Sequence, residues 1–94
     1  MPQFAIICFD KPDSLELRMA TRPTHLVYLQ SQLDAGVLLM AGPFLDADDK
    51  PTGSLLLVEA ADRAGAEAFA AGDPYAKAGL FAATEIRPWR RVFG

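Results

Sequence analysis

The chain holds one histidine, His25, and one cysteine, Cys8, so any acid–base or nucleophilic chemistry starts from a short inventory. His25 lies in the run Arg22-Pro-Thr-His-Leu, at the front of a stretch with helical apolar spacing. At about 100° per residue, Leu26, Leu29 and Leu33 mark the inward face, and His25 sits on its border one turn before Leu29. Arg22 joins that face if the helix reaches back so far. A histidine at the rim of a core, in the first turn of a helix, favours the neutral imidazole that a general base requires. The same position also suits a half-buried histidine that only hydrogen-bonds. Asp73 opens Asp-Pro-Tyr, a helix cap followed by proline in the first turn. A carboxylate there suits the orienting of an imidazole, although a cap needs no further role. Tyr75, two residues on, brings a hydroxyl to the same place. Gly42-Pro43 ends an apolar run without a side chain at Gly42, which leaves room for a ligand or makes a plain turn.

The other chemically suggestive residues carry less. Asp46, Asp48 and Asp49 lack calcium-loop spacing and read as solvated charge. Cys8, inside an apolar run, reads as inert core. No glycine-rich phosphate loop follows a strand, and no histidine–carboxylate pair has metal spacing. The sequence therefore supports neither a metal nor a cofactor. Arg87, Arg90 and Arg91 around Trp89 form a small basic cluster, better suited to an interface or an anion contact than to nucleic acid.

The elements that position these residues follow from periodicity and breakers. Gln3–Phe9 is a continuous apolar, β-branched and aromatic run, a buried strand. Pro23–Ala35 reads as a helix with Thr21 or Arg22 in the cap region and Gly36 just past its end, and Ser14–Ala20 as a separate preceding turn. Val37–Ala41 and Gly53–Ala60 are strands joined as a hairpin by the polar loop Phe44–Thr52. Asp62–Ala71 is an alanine-rich helix stopped by Gly72, and a short turn runs from Asp73 to Ala78. Phe81–Phe93 is a last strand, with Pro88 placing it at an edge or a bulge. The βαββαβ order predicts a ferredoxin-like α+β fold, a four-stranded antiparallel sheet with both helices on one face.

Ninety-four residues predict one domain over residues 1–94. A composition 51% hydrophobic and 22% charged is globular. A net charge of −3 argues against nucleic-acid or anionic-membrane partners. No apolar run reaches the roughly 18 residues of a membrane span and no signal-like core follows a basic start, so a cytoplasmic location is expected. The apolar residues are distributed in an informative way. In the first strand Phe4, Ile6 and Cys8 point one way and Ala5, Ile7 and Phe9 the other. The next two strands repeat this, with Val37/Leu39/Ala41 against Leu38/Met40 and Leu55/Leu57 against Leu56/Val58. Two helices cover one face only, so the other predicts a homodimer with its sheets packed face to face.

The ordered set Arg22-Pro-Thr-His25-Leu26, Tyr28-Leu29, Gly36-Val-Leu-Leu-Met-Ala-Gly42-Pro43, Gly53, Asp73-Pro74-Tyr75, Ala78-Gly79-Leu80 and Trp89 resembles the YCII-related family of small bacterial proteins. That family lies within the dimeric α+β barrel superfamily. The resemblance covers most of the chain. It implies a ferredoxin-like subunit dimerising through its sheet and an active site built on a His–Asp pair, which falls on His25 and Asp73. A related branch is associated with dehydrochlorination of chlorinated aromatic diols. Two functional classes follow. One is a cofactor-free lyase or isomerase for a small aromatic or lactone-like substrate. In it His25 removes a proton, Asp73 supports the imidazole, Arg22 or Tyr75 binds a developing oxyanion, and Gly42 and Pro43 border the pocket. The other is a non-catalytic protein that binds a small molecule in the same place.

Overall fold

The computed structural model describes residues 1–94. The elements are β1 (Gln3–Asp10), α1 (Leu15–Asp34), β2 (Leu38–Leu45), β3 (Pro51–Glu59), α2 (Arg63–Gly72), α3 (Pro74–Lys77) and β4 (Phe81–Trp89). The sheet is ordered β2-β3-β1-β4 and every pair is antiparallel. This is the ferredoxin-like α+β arrangement expected from the element order.

Inner and outer faces follow from register. Phe4, Ile6 and Cys8 of β1 stand opposite Val58, Leu56 and Ser54 of β3. Phe4, Ile6, Cys8, Leu56 and Val58 form the core with Leu38 of β2 and Ala66 and Phe69 of α2. Tyr28 ties the helices together, its hydroxyl donating to the Phe69 carbonyl at 2.8 Å. Asp62 caps α2 by accepting from the Gly65 N–H at 2.9 Å. In the β2–β3 loop, Asp46 accepts from the backbone N–H of Asp48 and Lys50, so at least one of the loop acids shapes the turn.

Helix α1 differs from expectation. It is one continuous helix with Pro23 in its interior, not a turn followed by a helix beginning at Pro23. The missing Pro23 N–H removes one ladder bond, yet both halves are anchored by buried side chains, Arg18 in the first half to β1 and β3 and His25 in the second to Asp73 at the start of α3. Tertiary anchoring outweighs the local break. His25 is therefore mid-helix, and the argument from a first-turn dipole does not apply to it. The inward face also differs: Leu26 and Leu33 are 43% and 48% exposed, while Arg18 and His25 are buried. Of the three leucines expected to face inward, only Leu29 packs against the core.

Two strand ends moved as well. Strand β2 runs through Gly42-Pro43 to Leu45, and Pro43 is tolerated because β2 is an edge strand. An irregularity between Leu38 and Met40 puts Ala41 opposite Leu56, so Leu38 and Ala41 share the inner face and the strict alternation expected for β2 is broken. Strand β4 ends at Trp89 and not at Phe93, because Trp89 already pairs with Gln3, the first residue of β1.

Candidate functional site

On α1, residues 18, 22, 25 and 29 recur at helical spacing, and all four line a cavity of about 220 Å³ between α1 and the sheet. Met19 and Leu26 add apolar walls from α1. Ala41, Gly42 and Pro43 come from β2, Ser54 and Leu56 from β3, and Tyr75 from α3. The cavity thus gathers His25, Arg22, Tyr75, Gly42 and Pro43, five of the six residues singled out by sequence. The sixth, Asp73, stands directly behind His25.

The His25–Asp73 geometry is specific. Nδ1 of His25 lies 2.7 Å from Oδ1 of Asp73, and both side chains are buried. The same Oδ1 accepts the Tyr75 backbone N–H at 2.9 Å, as the cap of α3. The local sequence explains this placement. Pro74 starts the turn, and Gly79, at φ +76°, ends it in a left-handed conformation that suits glycine. Backbone bonds from Gly79 to Ala76 and from Leu80 to Tyr75 close a Schellman motif and bury Leu80. In the neutral imidazole, with Asp73 accepting, Nδ1 carries the proton and the lone pair falls on Nε2, the ring nitrogen with no protein partner. The imidazole also stacks on Tyr75, with centroids 3.8 Å apart and planes inclined by 17°. Its plane and tautomer are both set.

Sequence reasoning missed three residues here: Arg18, Asp10 and Ser54. Arg18 is 4% exposed and donates to both Asp10 carboxylate oxygens, at 2.7 and 3.0 Å, and to Ser54 Oγ at 2.9 Å. Its guanidinium lies 4.7 Å from the Tyr75 ring centroid. Burial pulls the Arg18 pKa down, but the bonds to Asp10 override it and push it above the ordinary arginine value. Burial raises Tyr75 above the ordinary phenol value, and the nearby Arg18 and Arg22 cations oppose this. Tyr75 therefore enters the site as a protonated phenol. A signal for the missed residues did exist: Ser54 and Asp10 occupy the inward phase of β3 and β1, where apolar residues are the rule.

A larger hollow of about 690 Å³ lies between the chain ends, lined by residues including Trp89, Arg90 and Arg91. It brings no histidine or carboxylate to its walls, so the acid–base chemistry belongs to the smaller cavity. No three His, Cys, Asp or Glu side chains converge anywhere in the fold. Cys8 is buried beneath the sheet, and burial pushes its thiol up to about 11.

Fold and site together define a class: a ferredoxin-like α+β chain with a buried His–Asp pair at a small cavity. The model of the YCII-related domain matches residues 2–90, and the chain belongs to that family. It is 40% identical over 96 aligned positions to the protein YciI of Escherichia coli, covering 96% of this chain and 98% of that one. It superposes on the 5-chloro-2-hydroxyhydroquinone dehydrochlorinase of Burkholderia phenoliruptrix with a TM-score of 0.86. That structure is a complex with 2,5-dihydroxybenzoquinone; identity is 36%, covering 95% of this chain and 94% of that one. An antibiotic biosynthesis monooxygenase, 16% identical at a TM-score of 0.59, covering 98% of this chain and 99% of that one, shares the fold alone.

Proposed function

We propose that the protein is a cytoplasmic, cofactor-independent lyase or isomerase that removes a proton from a small hydroxylated aromatic or quinone-like ring. The observation that carries this reading is the bond from His25 Nδ1 to the buried Asp73, which leaves Nε2 as the basic atom at the cavity. Asp73 holds the ring in the useful tautomer and offsets the charge that develops when Nε2 takes a proton. Arg22, which has no carboxylate partner within the protein, and the Tyr75 phenol are the groups for the oxygen on which negative charge grows. A cavity of about 220 Å³ is smaller than the ~300–1,000 Å³ of drug-sized sites, and its apolar walls suit a single ring.

In the elimination version of this chemistry the base takes a proton and an electron pair moves through the ring. A chloride then leaves with its bonding electrons. Hydrogen chloride is lost and the remaining ring is more unsaturated, with no external oxidant consumed. The likeness to a dehydrochlorinase over nearly the whole chain supports this form of the reaction.

The test is turnover of 5-chloro-2-hydroxyhydroquinone, followed by chloride release, beside a panel of phenols and lactones. His25→Ala is expected to lower kcat by about 10²–10⁴-fold. Equal rates in the two proteins remove His25 from the mechanism. Tight binding of 2,5-dihydroxybenzoquinone with no turnover of any compound supports the binding-protein reading instead.

A further inference from the structure

Asp73 gives the His25 imidazole a single hydrogen bond, at 2.7 Å on Nδ1. One bond fixes a direction and a tautomer, but it leaves the ring free to turn about the Nδ1···Oδ1 line. Nε2 lies off that line, so such a turn sweeps its lone pair round a cone. The neighbour that blocks the turn is Tyr75. Its ring lies nearly parallel to the imidazole, with centroids 3.8 Å apart and planes inclined by 17°. Tyr75 is itself 1% exposed and held from several sides. Phe81 packs edge-on to it at 6.1 Å, and the Arg18 guanidinium stands 4.7 Å from its centroid. Its backbone N–H donates to Asp73 Oδ1, the same atom that His25 engages. One short turn, Asp73-Pro74-Tyr75, therefore brings both the carboxylate and the flat ring to the imidazole.

We infer that Tyr75 is a positioning residue for the base: its ring, independently of its hydroxyl, sets the plane in which His25 Nε2 presents its lone pair to the cavity. This rests on the proton-abstraction reading above and supplies the second constraint which that reading requires. Proton transfer needs the lone pair aligned with the bond that breaks, and a misplacement of about 1 Å costs about 10²-fold in rate. The two parts of Tyr75 divide their roles. The hydroxyl serves the substrate oxygen, as proposed above, and the ring acts through His25. A flat ring in this place is sufficient for the second role, so phenylalanine fulfils it and an aliphatic side chain does not.

The experiment pairs NMR of the His25 ring with kcat and KM for chloride release from 5-chloro-2-hydroxyhydroquinone. It uses wild type, Tyr75→Phe, Tyr75→Leu and Tyr75→Met, each checked by thermal melting. His25 is the only histidine, so its ring signals are unambiguous. In wild type and Tyr75→Phe the imidazole carbon-bound protons are expected upfield of free imidazole, under the ring current of the stacked neighbour. In a folded Tyr75→Leu or Tyr75→Met that shift is lost. Their kcat is expected about 10–100-fold below that of Tyr75→Phe, with KM within about threefold. A folded aliphatic variant that matches the kcat of Tyr75→Phe overturns the inference and leaves the proposed function standing. A raised KM at unchanged kcat also overturns it, because the ring then serves substrate binding. Wild type without the upfield shift overturns the stack itself, with no variant needed. Wild type that turns over no compound yet shows the shift overturns the proposed function and supports the placing of His25 by Tyr75.

Discussion

Asp73 Oδ1 accepts two hydrogen bonds, one from the α3 backbone and one from His25, so a single atom both starts a helix and orients the candidate base. Arg22 differs from Arg18 in the same cavity: Arg18 spends its charge on Asp10, whereas Arg22 has no carboxylate partner. Substituting Arg22→Gln is therefore expected to raise KM for an anionic or phenolic substrate by about tenfold while the melting temperature hardly changes. Steady-state kinetics beside a thermal melt checks this; an unchanged KM removes Arg22 from substrate recognition. These residues were legible in the sequence because their types are scarce or punctuating: one histidine, one Asp-Pro-Tyr, one Gly-Pro. Arg18 was not, since arginine is almost never fully buried unless paired, and its partners Asp10 and Ser54 lie on two different strands, eight and 36 residues away. Only the fold brings the three together.

At the level of elements, α1 shows why local signals misplace boundaries. Pro23 and the apolar positions Leu26, Leu29 and Leu33 suggest a short helix with a leucine face, but buried polar anchors on both sides of Pro23 hold a single longer one. The far end of α1 followed its sequence: Gly36, at φ +77°, terminates it through bonds from Gly36 to Leu33 and from Val37 to Gln32. A Cβ at Gly36 meets nothing within 4 Å, so Gly36→Ala isolates the backbone cost and should destabilise by about 1–2 kcal/mol. Urea denaturation measures it, and a neutral Gly36→Ala would contradict the cap. The core strands carry a pH signature as well. Folding raises the Cys8 thiol from its ordinary 9.0 to about 11, and burial raises Tyr28 and Tyr75 in the same direction. Between those two values the folded state keeps a Cys8 proton that the unfolded state releases, so stability present below pH 9 is lost as pH rises toward 11. Denaturation midpoints at pH 8 and pH 10.5 are expected to show the fall, and Cys8→Ala should lessen its slope.

At the scale of the molecule, the outer face of the sheet shows Phe9, Met40 and Phe44 at 46%, 53% and 40% exposure, and no helix covers it. The apolar doubling read from alternate residues in β1 and β3 holds in the fold. In β2 the irregularity near Leu39, which no local residue signals, reassigns the faces. We propose, from the exposed apolar side chains of the outer face, a homodimer formed through the sheet. Sedimentation velocity is expected to give twice the chain mass, and Phe9→Lys with Phe44→Lys to shift it toward the monomer. A wild-type protein that is monomeric at micromolar concentration contradicts the proposal.

The most direct test of the His25–Asp73 unit is a double-mutant comparison of kcat for chloride release from 5-chloro-2-hydroxyhydroquinone. If Asp73 acts through the imidazole, Asp73→Asn alone lowers kcat by about 10²–10⁴-fold, and adding it to His25→Ala lowers the rate no further. If the two losses multiply, the residues act independently and the pair is not a catalytic unit.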